Sequence, residues 1–372
     1  MRLAAFPAPL RQLPWLMLLA LTLLVGFGAT VLHSAAGGSF EPFAAAHLTR
    51  YGVFLAMALI ISLMPHTLMK MAAYPAYAVV LFLLILVEVI GQVGGGAQRW
   101  LNLGFMHLQP SELMKPVIVL ALAGLLANLS PAVIASWRAL VPTGILIGAP
   151  VALVLMQPDL GTALAISFGG LMVMFLAGLP LRWFVGAGAA VLVATPLAFF
   201  FALHDYQQRR VTTFLDPESD PLGAGYHITQ SKIAIGSGGL WGKGFGNGSQ
   251  SHLNYLPEPH TDFVFATMAE EWGLFGGLFV LLVFGIVLRW GLNVARAAPD
   301  RFSRLLAGGM TVTIFFYVGV NLMMVMGLAP VVGIPLPFMS HGGSSMMTNM
   351  ICMGTLMAVD RWGRQARPAG LA

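Results

Sequence analysis

Charge is scarce in this sequence. Asp, Glu, Lys and Arg make up 9% of its 372 residues, where a water-soluble chain carries about 25%. With 58% hydrophobic residues and a mean hydropathy of +0.83, the composition excludes a soluble globule. Cysteine is nearly absent. Cys352 stands alone, so no intrachain disulfide can form, and in a late apolar run it reads as a small hydrophobe. The glycine-rich stretch 236–248 has no strand before it and contains no Gly-Lys-Ser/Thr, which excludes a P-loop or a dinucleotide fingerprint. The net charge of +5 does not point to nucleic acid. Basic residues on such a chain first report orientation and headgroup contact.

What is present is a series of apolar runs of about 20 residues, the length that crosses a hydrocarbon core roughly 30 Å thick. They predict an all-α, polytopic integral membrane protein: one domain over 1–372, a bundle of ten transmembrane helices. The spans are expected at 14–34, 49–65, 70–90, 114–130, 139–157, 160–179, 183–203, 263–288, 305–329 and 343–360. The first run lacks a convincing small-residue cleavage site and is long enough to span, so no cleavable signal peptide is expected. With both termini cytoplasmic, twelve Lys and Arg fall inside and seven outside, together the 19 of the chain. That bias obeys the positive-inside rule.

The seven outer basic residues are Arg50, Arg99, Lys115, Arg209, Arg210, Lys232 and Lys243. Arg50 reads as a headgroup contact. The other six, in segments 91–115 and 204–261, read either as headgroup contacts or as ligands of a specific anion. In 91–115, Ser111 is the expected N-cap of a helix starting SELMKP. Glu112 and Lys115, three apart, share a face and can pair. They form either a local salt bridge or a pair whose lysine faces phosphate. Asp159, in the Gln157-Pro158-Asp159 turn, is expected to cap a helix. Segment 204–261 is far longer than an ordinary connection, which marks a functional loop with its own structure. Its residues 226–235 are amphipathic and are expected to lie on the membrane surface. Its glycines permit close backbone approach to a bulky ligand, or simply make a mobile loop.

The loop ends in LPEPHTDFVFATMAEEWGLFGG at 256–277. Five ionisable side chains, Glu258, His260, Asp262, Glu270 and Glu271, meet an apolar helix there. A carboxylate at the boundary between water and hydrocarbon is costly unless solvated, paired or used. Thr261 is the expected cap, which places Asp262 at the positive end of a helix dipole. Asp262 is either a second capping residue or a functional carboxylate that accepts a proton or binds a cation. Glu270 and Glu271 lie roughly 12–13 Å further along and are expected to make structural hydrogen bonds inside the bundle. Before the last span, Ser344 and Ser345 sit at a helix N-terminus that can bind an anion or is merely capped.

These residues resemble the SEDS family (shape, elongation, division and sporulation). The similar pieces are QRWLNLGFMHLQPSELMK at 98–115, QPDLGTAL at 157–164, the whole run 209–273, and GIPLPFMSHGGSSMMT at 333–348. They follow the family's order across essentially the whole chain. QPDLGTA, DPLGAGYHITQSKIAIGSGG and the short N-terminus resemble the rod-shape branch rather than the division branch. His341 departs from the pattern, which has tyrosine there.

The resemblance implies a peptidoglycan glycosyltransferase of the inner membrane with its site facing the periplasm. It would polymerise lipid II, a disaccharide-pentapeptide on undecaprenyl diphosphate, during lateral wall elongation. Its partners would be a class B penicillin-binding protein and other elongation-complex membrane proteins. The family's essential aspartate falls on Asp262 and its Glu/Lys pair on Glu112 and Lys115. Making a β-1,4 bond from an α-linked donor inverts the centre, so a base on the acceptor hydroxyl and stabilisation of the departing diphosphate are needed. Asp262 is the expected base. Lys115, Arg209, Arg210, Lys232 and Lys243 are the expected cations for diphosphate, with Glu112, His260 and Ser344 also at the substrate. This reading assigns no definite cofactor, and a second role stays open in which Asp262 holds a divalent cation, Mg2+ or Mn2+, on the diphosphate. Two other classes stay open. A lipid flippase predicts ionisable residues along a crossing path, for which Glu88, Glu270 and Glu271 are candidates. A non-catalytic scaffold for the transpeptidase predicts no particular site.

Overall fold

The computed structural model describes residues 13–366, apart from 95–96, 103, 105–106, 202–207, 209–211, 213–215, 217–223, 254 and 257. Helices dominate. In order they are α1 (Trp15–Ala35), α2 (Phe43–Ser62), α3 (His66–Ile90), α4 (Pro110–Ala127), the short α5 (Pro131–Ile134), α6 (Trp137–Met156), α7 (Leu160–Leu176), α8 (Leu181–Phe201), α9 (Ala224–Gly238), the short α10 (Ser249–His252), α11 (Val264–Ala297), α12 (Arg301–Val325) and α13 (Gly343–Ala366). A helix occupies each of the ten apolar segments. Among the described residues, seven of these are long and apolar enough to cross a membrane.

Two of the others fall short for physical reasons. α7 is an apolar helix of only 17 residues. α8, at 21 residues from Leu181 to Phe201, is apolar along its length. α13 carries Ser344, Ser345, Thr348 and Asn349, all buried. It packs on α2, α4, α11 and α12. A helix wrapped by other helices does not need lipid-facing side chains. α4 and α12 share the centre with it, buried on nearly every side.

The fold is not purely helical. Strands β1 (Gln92–Gly94), β2 (Ala97–Asn102) and β3 (His107–Leu108) form a small antiparallel sheet in the order β1-β2-β3. It fills the connection from α3 to α4, where the sequence showed only glycines and an interfacial tryptophan. Two expected caps also move. Pro110 takes the first helical position of α4 with Gln109 as N-cap, a place where its missing N–H costs nothing. Ser111 is therefore inside the helix. Thr261 lies in a turn and donates to the Glu258 carboxylate at 3.0 Å, while α11 starts at Val264 with Phe263 before it.

α9 docks on the bundle through Ile228, Ser231 and Ala234, spaced three apart on one buried face. Ser231 Oγ donates to the Val325 carbonyl at 2.7 Å.

α11 is 34 residues long and breaks at Gly273 (φ 61, ψ −155). A break inside a bundle orphans carbonyls on one side and amides on the other. Here the segment after α9 satisfies both. Lys243 N donates to Glu270 O at 2.9 Å and Gly244 N to Glu271 O at 3.1 Å, while Leu274 N donates to Gly239 O at 2.9 Å. The glycines of this segment thus permit close backbone approach, but to the chain's own helix. A Cβ on Gly242 (φ +78) would sit 2.0 Å from Glu271 O.

Candidate functional site

A cavity of about 460 Å³ opens at one end of the bundle. Four chain segments line it. From the start of α4 come Gln109 and Glu112. From the start of α7 come Asp159, Leu160 and Thr162. Thr261 and Asp262 lie just before α11, and Gly342 to Ser345 begin α13. Arg99 and Trp100 of β2, Glu258, the Val332–Pro335 stretch and His341 complete the wall. Four helices therefore start on one cavity. Each helix N-terminus carries the equivalent of roughly +0.5 charge, so together they contribute roughly +2 without any side chain.

Asp262 is half-buried. Its own backbone is fixed from beneath: Asn321 Nδ2 donates to Asp262 O at 2.8 Å and also to Ile334 O at 2.7 Å. Next to it, Ser340 Oγ donates to Thr261 O at 2.6 Å and accepts from Leu336 N at 2.8 Å. The loop before α13 and the turn before α11 are thus stitched together. Asp262 Oδ2 faces Gly333 (φ +70), where a Cβ would lie 3.5 Å away.

Glu112 and Lys115 do pair, at 2.5 Å, and both are buried. The pair is a triangle, because Lys115 Nζ also donates to Tyr317 OH at 2.6 Å and Tyr317 OH donates to the other oxygen of Glu112. Glu112 reaches the cavity wall, whereas Lys115 is turned into the core behind it. Asp159 caps α7 by accepting from Thr162 N at 3.1 Å and takes the Gln109 amide at 3.1 Å on its second oxygen. Arg99 donates to the carbonyls of Gln157, at 2.9 Å, and Pro158, which fixes the α6–α7 turn against the sheet.

Arg50 belongs to this end of the molecule and not to headgroups alone. It donates to His341 Nε2 at 3.0 Å, and its guanidinium lies beside Gly343. Burial and the Arg50 guanidinium push the His341 imidazole down to about 4, so it is neutral at pH 7. His260 stacks on Phe43 with 4.0 Å between centroids. Burial lowers its pKa, against the pull of Glu258. His341 N donates to His260 O at 2.8 Å. Ser344 lines the cavity and accepts from Gln109 N at 3.4 Å.

Two expected cations lie elsewhere. Lys243 pairs with Glu270 at 2.6 Å, and Lys232 packs its stem over Gly327. Arg209 and Arg210 lie outside the described residues. Glu270 and Glu271 are buried. Glu270 takes Lys243, Ser249 Oγ and the Gln250 amide. Glu271 takes Ser34 Oγ, with His252 3.6 Å away. Tyr317, Asn321, Ser340 and Arg50 are the site residues that sequence reasoning missed as such. Asn321 had one available signal, a lone amide inside an apolar span.

The lining carries four carboxylates (Glu112, Asp159, Glu258, Asp262) against Arg99. Lys115 and Arg50 stand immediately behind the wall. Adding the helix ends brings the site to roughly neutral or weakly positive. A diphosphate would therefore rely on helix N-termini and on at least one further cation.

Three comparisons agree on the relatives. A family profile described as cell cycle protein, covering FtsW, RodA and SpoVE, matches residues 11–365. The peptidoglycan glycosyltransferase MrdB of Escherichia coli K12 is 43% identical over 355 residues, 93% of this chain and 92% of that protein. A solved chain described under the structural coordination of polymerization and crosslinking by a peptidoglycan synthase complex has a TM-score of 0.82 and 33% identity, covering 95% of this chain and 99% of its own. RodA, the rod shape determining protein of Thermus thermophilus, has a TM-score of 0.70 and 30% identity over 94% and 97% of the two chains.

Proposed function

The chain belongs to the FtsW/RodA/SpoVE family, and from that premise we propose how it works as a peptidoglycan glycosyltransferase. The observation that carries the reading is the convergence of four helix starts on one cavity that Asp262 lines. The enzyme is a multi-pass membrane protein. We take the bundle as one domain of ten spans, with α7, α8 and α13 completing the seven long apolar helices. The positive-inside bias then puts the cavity on the periplasmic side of the inner membrane.

The donor is lipid II. Its isoprenoid tail stays in the hydrocarbon region while its diphosphate enters the cavity. The helix N-termini of α4, α7 and α13, with Arg99, hold the diphosphate oxygens and stabilise the charge that develops as the sugar leaves. Ser344 and Gln109 supply neutral donors on the same wall. Glu112 gives a fixed negative edge, oriented by Lys115 and Tyr317, that suits sugar or peptide hydroxyl and amide groups. Asp262 takes the proton from the acceptor 4-hydroxyl as that oxygen attacks the anomeric carbon. Base assistance of this kind is worth about 10²- to 10⁴-fold.

A cation on the diphosphate is the second use of Asp262. Among the described residues no three His, Cys, Asp or Glu side chains stand together as a ligand set. A cation such as Mg2+ that takes few protein ligands would complete its shell with phosphate oxygens and water. The near-neutral lining makes such a cation, or Arg209 and Arg210, a useful complement.

Glu270 and Glu271 are engaged with Lys243 and Ser34 rather than exposed along a crossing path, which disfavours a flippase. A crosslinking partner is supported by the peptidoglycan synthase complex, coordinating polymerization and crosslinking, that describes the 33%-identical relative; we take that partner to be a class B penicillin-binding protein.

The test uses purified enzyme with its cognate transpeptidase and labelled lipid II, with and without EDTA. Glycan ladders on a gel support the reading. Ladders that persist in EDTA assign Asp262 to proton transfer, and ladders lost in EDTA and restored by Mg2+ assign it to the cation. No ladders from folded enzyme with its partner would overturn the polymerase reading and favour lipid transport.

A further inference from the structure

The splice into α11 has a second consequence. Glu270 is fully buried, yet it holds residues twenty positions upstream: Ser249 Oγ donates to it at 3.0 Å and Gln250 N at 3.1 Å. Lys243 Nζ closes the knot, donating at 2.6 Å to Glu270 and 2.7 Å to Ser249 Oγ. Gly248 is pressed against both acidic side chains, since a Cβ there would lie 3.1 Å from a carboxylate oxygen of Glu270 and of Glu271. Between Ser249 and Glu270 the chain runs out to the cavity and back. Asp262 sits near the tip of that excursion, and the outer part of α11 from Val264 to Glu270, seven residues or roughly 10 Å, is its returning arm. The base of the excursion is therefore fastened by one carboxylate and one ammonium group.

Resting on the glycosyltransferase reading, we propose that Glu270 and Lys243 are positioning residues for the transfer. They do not touch the substrate. They clamp the base of the 249–270 excursion and so fix where Asp262 stands relative to the walls supplied by α4, α7 and α13. A buried carboxylate is suited to this, because its cost in an apolar setting is offset only when all its donors are in place. The knot is therefore close to all-or-none. Loosening it lets Asp262 wander by an ångström or so, and a displacement of that size can cost about 10²-fold in rate. Substrate affinity, set by the cavity walls, is left alone.

The experiment measures glycan polymerisation by full-length enzyme with its transpeptidase, using lipid II at varied concentration. Lys243→Met, Lys243→Arg, Glu270→Gln and Ser249→Ala are compared with wild type. Arg301→Met serves as a structural control, because it removes two guanidinium hydrogen bonds to the carbonyls of Leu129 and Ala177, elsewhere in the bundle. Lys243→Met and Glu270→Gln should each lower kcat about ten- to a hundred-fold with KM unchanged. Their double variant should be no worse than the poorer single one, and Lys243→Arg should recover most of the rate. Arg301→Met should lower thermal stability with kcat kept. Hydrogen exchange in peptides from 249–263 should quicken in Lys243→Met and not in Arg301→Met. If Glu270→Gln does not fold, Lys243→Met and Ser249→Ala carry the same comparison from partly exposed positions. Wild-type kcat in folded Lys243→Met, a loss confined to KM, or a rate loss shared by Arg301→Met in proportion to stability would overturn the proposal. Absence of ladders from wild type would instead overturn the glycosyltransferase reading on which it rests.

Discussion

Replacing Lys115 by methionine isolates one interaction of the Glu112–Lys115–Tyr317 triangle. Methionine keeps most of the lysine stem, so the cavity left behind is small. What disappears is the ammonium group, which donates to Glu112 at 2.5 Å and to Tyr317 OH at 2.6 Å. At the surface such a pair would be worth at most about 1 kcal/mol. Here both side chains are nearly sealed, at 1% and 8% exposure. Removing one partner of a buried pair strands the other charge and costs about 3–5 kcal/mol. The Tyr317 hydroxyl still donates to Glu112, which places the expected loss near the lower end, about 3 kcal/mol. Tyr317→Phe removes two bonds to charged groups, one from Lys115 and one to Glu112, and should cost at least about 1.5–3 kcal/mol. The double variant Glu112→Gln/Lys115→Met has no stranded charge and should regain more than half of the single-variant loss. Denaturant-induced unfolding in bicelles, read by tryptophan fluorescence, measures all three. A Lys115→Met loss below about 1 kcal/mol, or a double variant weaker than the single one, would refute the triangle as a buried and mutually dependent unit.

Other outcomes follow from single contacts. Gly333→Ala forces a side chain onto a φ of +70 next to Asp262, although the added Cβ itself would meet Oδ2 only in ordinary contact at 3.5 Å; the backbone strain should lower polymerisation, and wild-type turnover on a ladder gel would contradict a need for glycine beside Asp262. Gly242→Ala drives a Cβ to 2.0 Å from Glu271 O and should lose folded protein on size exclusion, with more than about 2 kcal/mol of destabilisation. His341 is held at about 4, below the ordinary histidine value of about 6.5. Its neutral form stabilises the fold fully above pH 6.5, and that contribution is lost as pH falls toward 4. A stability titration from pH 8 to 4.5 should decline over that window in wild type and decline less in His341→Tyr; identical profiles would remove Arg50 and His341 as an acid-sensitive pair.

Much of this architecture is visible in the sequence because lipid imposes one simple rule. Apolar runs of about 20 residues must be helices, and a helix stands on each of the ten segments read from them. Asp159 as a cap was equally legible, since a Pro-Asp turn before an apolar run has few other uses. The β1–β3 sheet was not, because strands of two to six residues leave no alternation to read. The break at Gly273 was hidden as well. A glycine inside an apolar helix is common, and only the distant 239–244 segment gives it a reason. Lys115 looked like a phosphate ligand because spacing fixes which helix face a side chain occupies, and does not say whether that face meets the cavity or the core. Tyr317, 202 residues from Lys115, and Asn321, 59 residues from Asp262, carry no local pattern at all. Arg50 was assigned to headgroups from its position in the chain, and only tertiary packing brings it beside His341.

The central claim is that Asp262 serves the chemical step while the rest of the cavity binds lipid II. The direct measurement is lipid II binding and single-turnover glycosyl transfer, side by side, for wild type and Asp262→Asn in the transpeptidase complex. The account predicts a dissociation constant within a few-fold of wild type and a transfer rate lower by about 10²-fold or more. Transfer at the wild-type rate in folded Asp262→Asn, or a loss explained wholly by weaker binding, would contradict it.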